Sequence, residues 1–142
     1  MRKQTLVEEV CHLAFPLSNQ AWSVLMCVAV RQGLEMKITD KTVSWISYDC
    51  HISKEEATHA FEQLKHMGFL TVAGTQENKE GEFDSLYKVD ISDRAFKRAR
   101  EYIKAKVLVL FLENAPYHEI SSEVGCSYKT INWILDETHL FD

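Results

Sequence analysis

Residues 53–72 read SKEEATHAFEQLKHMGFLTV. Ser53 and Glu56 form a capping box: the serine oxygen accepts from a free first-turn amide, and the glutamate reaches back to the serine N–H. A helix is predicted from this point. Ala57, Ala60, Phe61 and Leu64 recur in steps of three and four, so they share one apolar face, and Gly68 offers the left-handed residue that ends many helices. Strand formers follow at 69–73, then a polar loop over 74–84, then a second strand over 86–91. In that strand Tyr87, Val89 and Ile91 alternate with Lys88 and Asp90, the period of a half-buried hairpin.

The 142 residues suffice for one ordinary domain or two very small ones, and a hydrophobic content of 46% can fill a core. The balance of 16 basic against 21 acidic residues leaves a net charge of −5, which opposes sequence-independent attraction to phosphate. Any contact with nucleic acid therefore has to be local. The acidic excess lies mostly in residues 1–92, and residues 93–142 are close to neutral. Cys11, Cys27, Cys50 and Cys126 form no Cys-x-x-Cys pair and three of them stand at apolar positions, so free thiols are expected rather than a disulfide framework or a zinc site. No charged-then-apolar leader opens the chain, and the apolar run 107–112 is far short of a membrane span, which points to a soluble, cytoplasmic protein.

Upstream of the opening stretch, Leu6, Val7, Val10, Cys11 and Ala14 have helical spacing within 3–15. That helix either caps the core or pairs with a second copy. Ser18 is the expected cap of the next helix, with Trp22, Leu25, Met26, Ala29 and Val30 as its apolar stripe and Gly33 as its end. Ile38 can add a third strand to the hairpin, and Asp40 can cap a helix to about Tyr48 with Val43 and Ile46 inward. Helix, short helix, tight turn, capped helix and hairpin is an order that resembles the winged helix-turn-helix superfamily over residues 18–91. The fold class implied is mainly α with a small β-hairpin wing (α+β). If helix 53–67 enters a major groove, Lys54, Thr58, His59 and Lys65 are its contact residues. Glu77, Glu80, Glu82 and Asp84 oppose Lys79 alone in the wing, and carboxylates repel phosphates within a Debye length of about 8 Å. The wing is expected to avoid the DNA backbone or to meet a protein.

From Ser92 a long helix is predicted to about Asn114, closed by Ala115-Pro116, with Phe96, Ala99, Ile103, Val107, Leu110 and Phe111 on one face. Its first half carries Arg94, Lys97, Arg98, Arg100, Lys104 and Lys106 against Glu101, the one basic cluster in the chain. This is either a solvated face or a phosphate-contacting strip. The apolar second half suits a dimer seam. Residues 117–135, YHEISSEVGCSYKTINWIL, resemble the helix-turn-helix of bacterial and phage regulators. Ile120 and Val124 are its apolar positions, Ser121 the small residue between helices, Gly125 the turn, and Ile131 and Ile134 the buried side of the second helix, which Ser127 caps. Because the chain stops at Asp142, residues 107–112 are expected to supply most of that unit's packing. The resemblance implies a DNA-facing set of Ser127, Tyr128, Lys129, Thr130 and Asn132, types that suit phosphates and base edges. Trp133 reads equally as a core or interface aromatic.

The histidines form no metal-ligand pair, and there is no phosphate loop, dinucleotide-binding glycine pattern or nucleophile in a recognisable setting. No enzyme, metal or cofactor is expected. The whole reads as a winged unit with an N-terminal helix (1–92) followed by a linker helix and a second helix-turn-helix (93–142). The function implied is sequence-specific double-stranded DNA binding by a transcriptional regulator of bacterial or mobile-element type. The alternatives are a winged-helix protein-interaction module without DNA binding, a plasmid or phage replication initiation factor, and a MarR-type shape with the long helix as a dimer interface. Expected partners are double-stranded DNA, a second copy, and a protein at the acidic wing; no membrane is expected.

Overall fold

The computed structural model describes residues 5–12 and 15–137. Their order is α1 (Leu6–Cys11), α2 (Asn19–Gly33), a 3₁₀ turn (Asp40–Thr42), α3 (Val43–Cys50), α4 (Lys54–Met67), β1 (Leu70–Glu77), β2 (Phe83–Val89), α5 (Asp93–Leu112), α6 (Tyr117–Val124) and α7 (Tyr128–Glu137). The protein is mainly helical with one two-stranded antiparallel hairpin, an α+β architecture. None of its helices, among the described residues, is long and apolar enough to cross a membrane.

Local chemistry fixes most of the boundaries. Ser53 Oγ accepts from the Glu56 N–H at 3.0 Å and the Glu56 carboxylate accepts from the Ser53 N–H at 3.2 Å, closing the capping box of α4. Gly68 at φ +95° ends it. Ser18 and Ser92 cap α2 and α5 through the amides of Ala21 and Ala95. Ala57, Ala60, Phe61 and Leu64 are fully buried on α4, as their spacing requires.

Several expectations are corrected. On α2 the buried residues are Ala21, Val24, Leu25, Val28 and Ala29, while Trp22 and Met26 are half-buried and Val30 is exposed. Residues 21–30 are apolar on nearly every side, so spacing alone cannot choose the inward face. Gly33 is the last helical residue of α2, and the left-handed conformation falls two residues later, on Glu35. Thr39, rather than Asp40, caps the segment before α3, by a reciprocal pair with Thr42. Ile38 contributes a single hydrogen bond, from the Tyr87 N–H to its carbonyl, and no third strand. The hairpin arms reach further into the polar stretch than composition suggests, leaving a connection of 78–82, and a bulge between Val72 and Gly74 shifts their register by one residue. The first helix is shorter than 3–15; its remaining positions include residues outside the described ones.

One contiguous core runs from Val10, Leu25, Phe61 and Phe69 to Ile120, Ile131, Ile134 and Leu135. Gln63, buried on α4, donates its amide protons to the carbonyls of Ser122 (2.7 Å) and Glu123, which the end of α6 leaves without helical partners. Gly125 follows at φ +81°, so close that a Cβ there would stand 2.8 Å from Gln63 Oε1 and 3.2 Å from Met67 Cε. Residues 15–18 cover the other side of this turn. The Ser18 N–H donates to the Gly125 carbonyl at 2.8 Å, the Ser127 N–H donates to the Pro16 carbonyl at 3.3 Å, and Leu17 bridges Cys126. Phe15 also packs edge-on to Phe69 at 5.1 Å. The last two helices pack on α5, where Val107 is fully buried and Leu108, Leu110 and Phe111 are half-buried against the core, and are tied further by Gln63 of α4 and by the segment before α2.

Candidate functional site

α5 buries Ala95, Ala99, Ile103 and Val107, one per turn, so its charged residues emerge on the remaining sides. α7 begins after Ser127, whose Oγ accepts from the Thr130 N–H at 3.3 Å and bonds Thr130 Oγ1 at 2.9 Å. With Ile131, Ile134 and Leu135 turned inward, Tyr128, Lys129, Asn132 and Trp133 are left exposed. A groove of about 620 Å³ lies between the two helices. Lys97, Arg100 and Lys104 of α5 and Lys129 of α7 give it four cations, and Glu101 is the one carboxylate in its lining. Phe15, Phe96, Ile103 and Ile134 make the wall apolar, and Trp133, 58% exposed, stands over it. Lys104 is held by Glu137 at 3.1 Å; Lys97, Arg100 and Lys129 have no ion-pair partner among the described residues.

The groove thus unites Lys97, Arg100, Lys104, Lys129 and Thr130 of the residues singled out in the sequence. Asn132 is exposed on α7, and Tyr128 is exposed with its ring edge-on to Tyr117 at 6.2 Å. Other members lie elsewhere. The Arg98 side chain packs over Gly68, and Arg94 is exposed near the start of α5. Lys106 faces a second depression, shared with His59, His66, Tyr102 and Glu123.

On α4, Lys54 and Thr58 are exposed beside Glu55 and Glu62, and the Thr58 hydroxyl is turned back onto the Lys54 carbonyl at 2.8 Å. His59 Nε2 is bonded to the Ser122 carbonyl at 3.0 Å and stands 3.8 Å from a Glu123 carboxylate oxygen. Lys65 is engaged within the fold: its ammonium meets Glu62 at 3.0 Å, Asp40 at 3.4 Å and the Tyr87 ring at 4.9 Å. Partial burial disfavours its charge, but hydrogen bonds to Glu62 and Tyr87 and the nearby Asp40 outweigh that and hold it protonated. A lysine so engaged has little left for phosphate.

Away from the groove, Arg31 and Asp49 pair at 2.8 Å between α2 and α3, and that hydrogen bond holds the Asp49 carboxyl below its usual range. Burial, with Cys50 nearby, pushes the Cys27 thiol up to about 11. Cys126 is buried and raised to about 11 by desolvation, whereas Cys11 is exposed; all four cysteines are free thiols. Trp45 and Tyr48 project from α3, 64% and 77% exposed. Ala105, Val109 and Leu112 form an exposed apolar seam along the end of α5. No group of three or more potential metal ligands occurs among the described residues, and His139 lies outside them.

Gln63 is a site residue that motif and spacing do not single out. It shares the inward face of α4 with Ala60, Leu64 and Met67, and a polar residue at such a position signals a buried hydrogen-bonding task. Phe15 and Phe96 carry no comparable signal, because nothing in the chain between residues 15 and 129 announces that they share a groove. Comparison of the chain with protein-family models, with curated proteins and with solved structures gives no match.

Proposed function

We propose that the protein is a cytoplasmic, sequence-specific double-stranded DNA-binding regulator, in which α3, α4 and the hairpin form a winged helix-turn-helix and α6 and α7 a second one. The observation that carries this reading is the α5–α7 groove. Cations from two distant segments, Lys97, Arg100 and Lys104 with Lys129, meet beside the exposed start of a helix in a chain whose net charge is −5. Phosphate binding needs such a local concentration of positive charge, since each contact releases condensed counterions. Lys129, Tyr128 and Asn132 then stand where a helix entering a major groove presents its first turns, and Asn132 can pair with adenine. α4 is the weaker candidate for groove entry, because Glu55 and Glu62 flank Lys54 and Thr58, and His59 and Gln63 are occupied by α6. A bacterial or mobile-element regulator and a replication initiation factor share this DNA-reading step.

The test is selection from a pool of random duplexes at two salt concentrations. The native chain is expected to enrich one sequence, and Lys129→Glu to lose the enrichment. Lys97→Glu/Arg100→Glu should lower the slope of log affinity against log salt by about 0.9 for each phosphate that is no longer neutralised. Absence of enrichment together with absence of salt-dependent binding would sink the reading.

A second reading, a protein-interaction module, is favoured by the exposed Trp45 and Tyr48 on α3, since large aromatics left in solvent mark contact surfaces. The seam Ala105–Val109–Leu112 is the corresponding candidate for pairing with a second copy, and the acidic residues Glu77, Glu80 and Glu82 for a basic protein partner.

A further inference from the structure

DNA contact accounts for the cations of the α5–α7 groove but not for its apolar wall. A phosphodiester has no apolar body to lay against the half-buried Phe15 and Phe96, and the volume of about 620 Å³ lies within the range of sites for small organic ligands. Lys97, Arg100 and Lys129 have no ion-pair partner among the described residues, so the groove pairs an apolar surface with four cations against one lining carboxylate, Glu101. Trp133 leaves more than half of its surface in water over the same space. A ligand that covers the indole removes that surface from water, and an aromatic ligand also offers a π face to Arg100. Polar hydrogen-bonding groups other than the cations are sparse: the Thr130 hydroxyl is already bonded to Ser127. A base or a sugar, which needs several such partners, is therefore poorly matched.

We propose that this groove binds a small aromatic carboxylate, its ring body against Phe96 and Trp133 and its carboxylate held by Arg100 and Lys129. Arg100 is suited to a bidentate hold on the planar carboxylate, and Lys129 adds a point charge from the facing helix. A consequence, which rests on the DNA reading above, is competition: the carboxylate occupies the cations that would otherwise meet phosphate, so ligand and duplex exclude one another.

The experiment titrates the full chain with 2-naphthoate and with indole-3-carboxylate by calorimetry, with 2-naphthamide as the uncharged counterpart. Saturable one-to-one binding of at least one carboxylate is expected. Affinity should fall about tenfold or more for the amide and for Arg100→Gln/Lys129→Gln, the loss for one charge-assisted interaction. Trp133→Ala should also weaken binding, and Trp45→Ala, on a different face, should not; circular dichroism checks that each variant is folded. Absence of saturable binding by both carboxylates, equal binding of the amide, or full affinity in Arg100→Gln/Lys129→Gln would overturn the proposal. These titrations contain no DNA, so they stand even if the chain selects no duplex. Where a selected duplex exists, 2-naphthoate should raise its apparent Kd by the factor 1 + [ligand]/Kd of the ligand, and independent binding of the two would overturn the competition alone.

Discussion

Gln63 and Gly125 carry the contact between α4 and the turn after α6, and each restricts the other. Replacing Gln63 by Ala removes the donors to the carbonyls of Ser122 and Glu123; His59 still reaches Ser122, and losing the remaining hydrogen bond to Glu123 costs about 0.5–1.5 kcal/mol. Urea unfolding should show that loss as a lower midpoint with little change in slope. Gly125→Ala should cost more than Gly68→Ala. Both residues have positive φ, which costs a side chain about 1–2 kcal/mol, but at Gly68 the obstructing atom belongs to an exposed arginine side chain. At Gly125 it is Gln63, which cannot move without breaking its bonds. The double variant Gln63→Ala/Gly125→Ala should therefore be less destabilised than the sum of the single variants, and a double-mutant cycle measures that coupling. The cysteines separate in the same way. Cys11 is exposed and should alkylate first at pH 8, the half-buried Cys27, its thiol raised to about 11, more slowly, and the fully buried Cys126, likewise raised to about 11, only as the chain unfolds; mass spectrometry of partly labelled protein reads the order.

Single elements owe their limits to a few side chains, and these were the legible part of the sequence. The capping box of α4, its apolar face and Gly68 are local signals that the structure repeats, and Ser53→Ala should lower stability by about 1 kcal/mol in urea unfolding. Ser18 and Ser127 could be read as caps, and Ser92 as the start of α5, for the same reason: the bonds that make a cap lie within three residues. The inward side of α2 was not legible, because a helix apolar on most of its circumference carries no preferred direction until its neighbours are known. Asp49 belongs to this scale too. Its folded carboxyl is held below the ordinary value of 3.8 by Arg31, so the stability it confers is present above that pH and is lost as the pH falls through the lower folded value. Asp49→Asn should flatten the decline of thermal midpoint on acidification below about pH 4.

At the scale of the molecule, the sequence separated residues 1–92 from 93–142 by pattern, but it could not show what joins them. The joining contacts pair positions far apart in the chain: residue 63 with 122, 18 with 125, 16 with 127. Because one core continues through both parts, a single cooperative transition is expected, with far-ultraviolet circular dichroism and tryptophan fluorescence giving the same midpoint in urea. The candidate groove has the same origin. Its two basic contributors could each be named from the sequence, whereas their meeting, and the aromatic wall between them, depends on where α7 is docked.

The clasp of residues 15–18 on the turn at 125–127 has a consequence in time. During synthesis Phe15 and Leu17 emerge before the turn they cover, with α2 to α6 made in between. Closing so long a loop is entropically costly, so this contact should form after the transition state for folding. Leu17→Ala is then expected to accelerate unfolding while leaving the refolding rate almost unchanged in stopped-flow measurements, and until α6 and α7 leave the ribosome the nascent chain keeps an uncovered aromatic face.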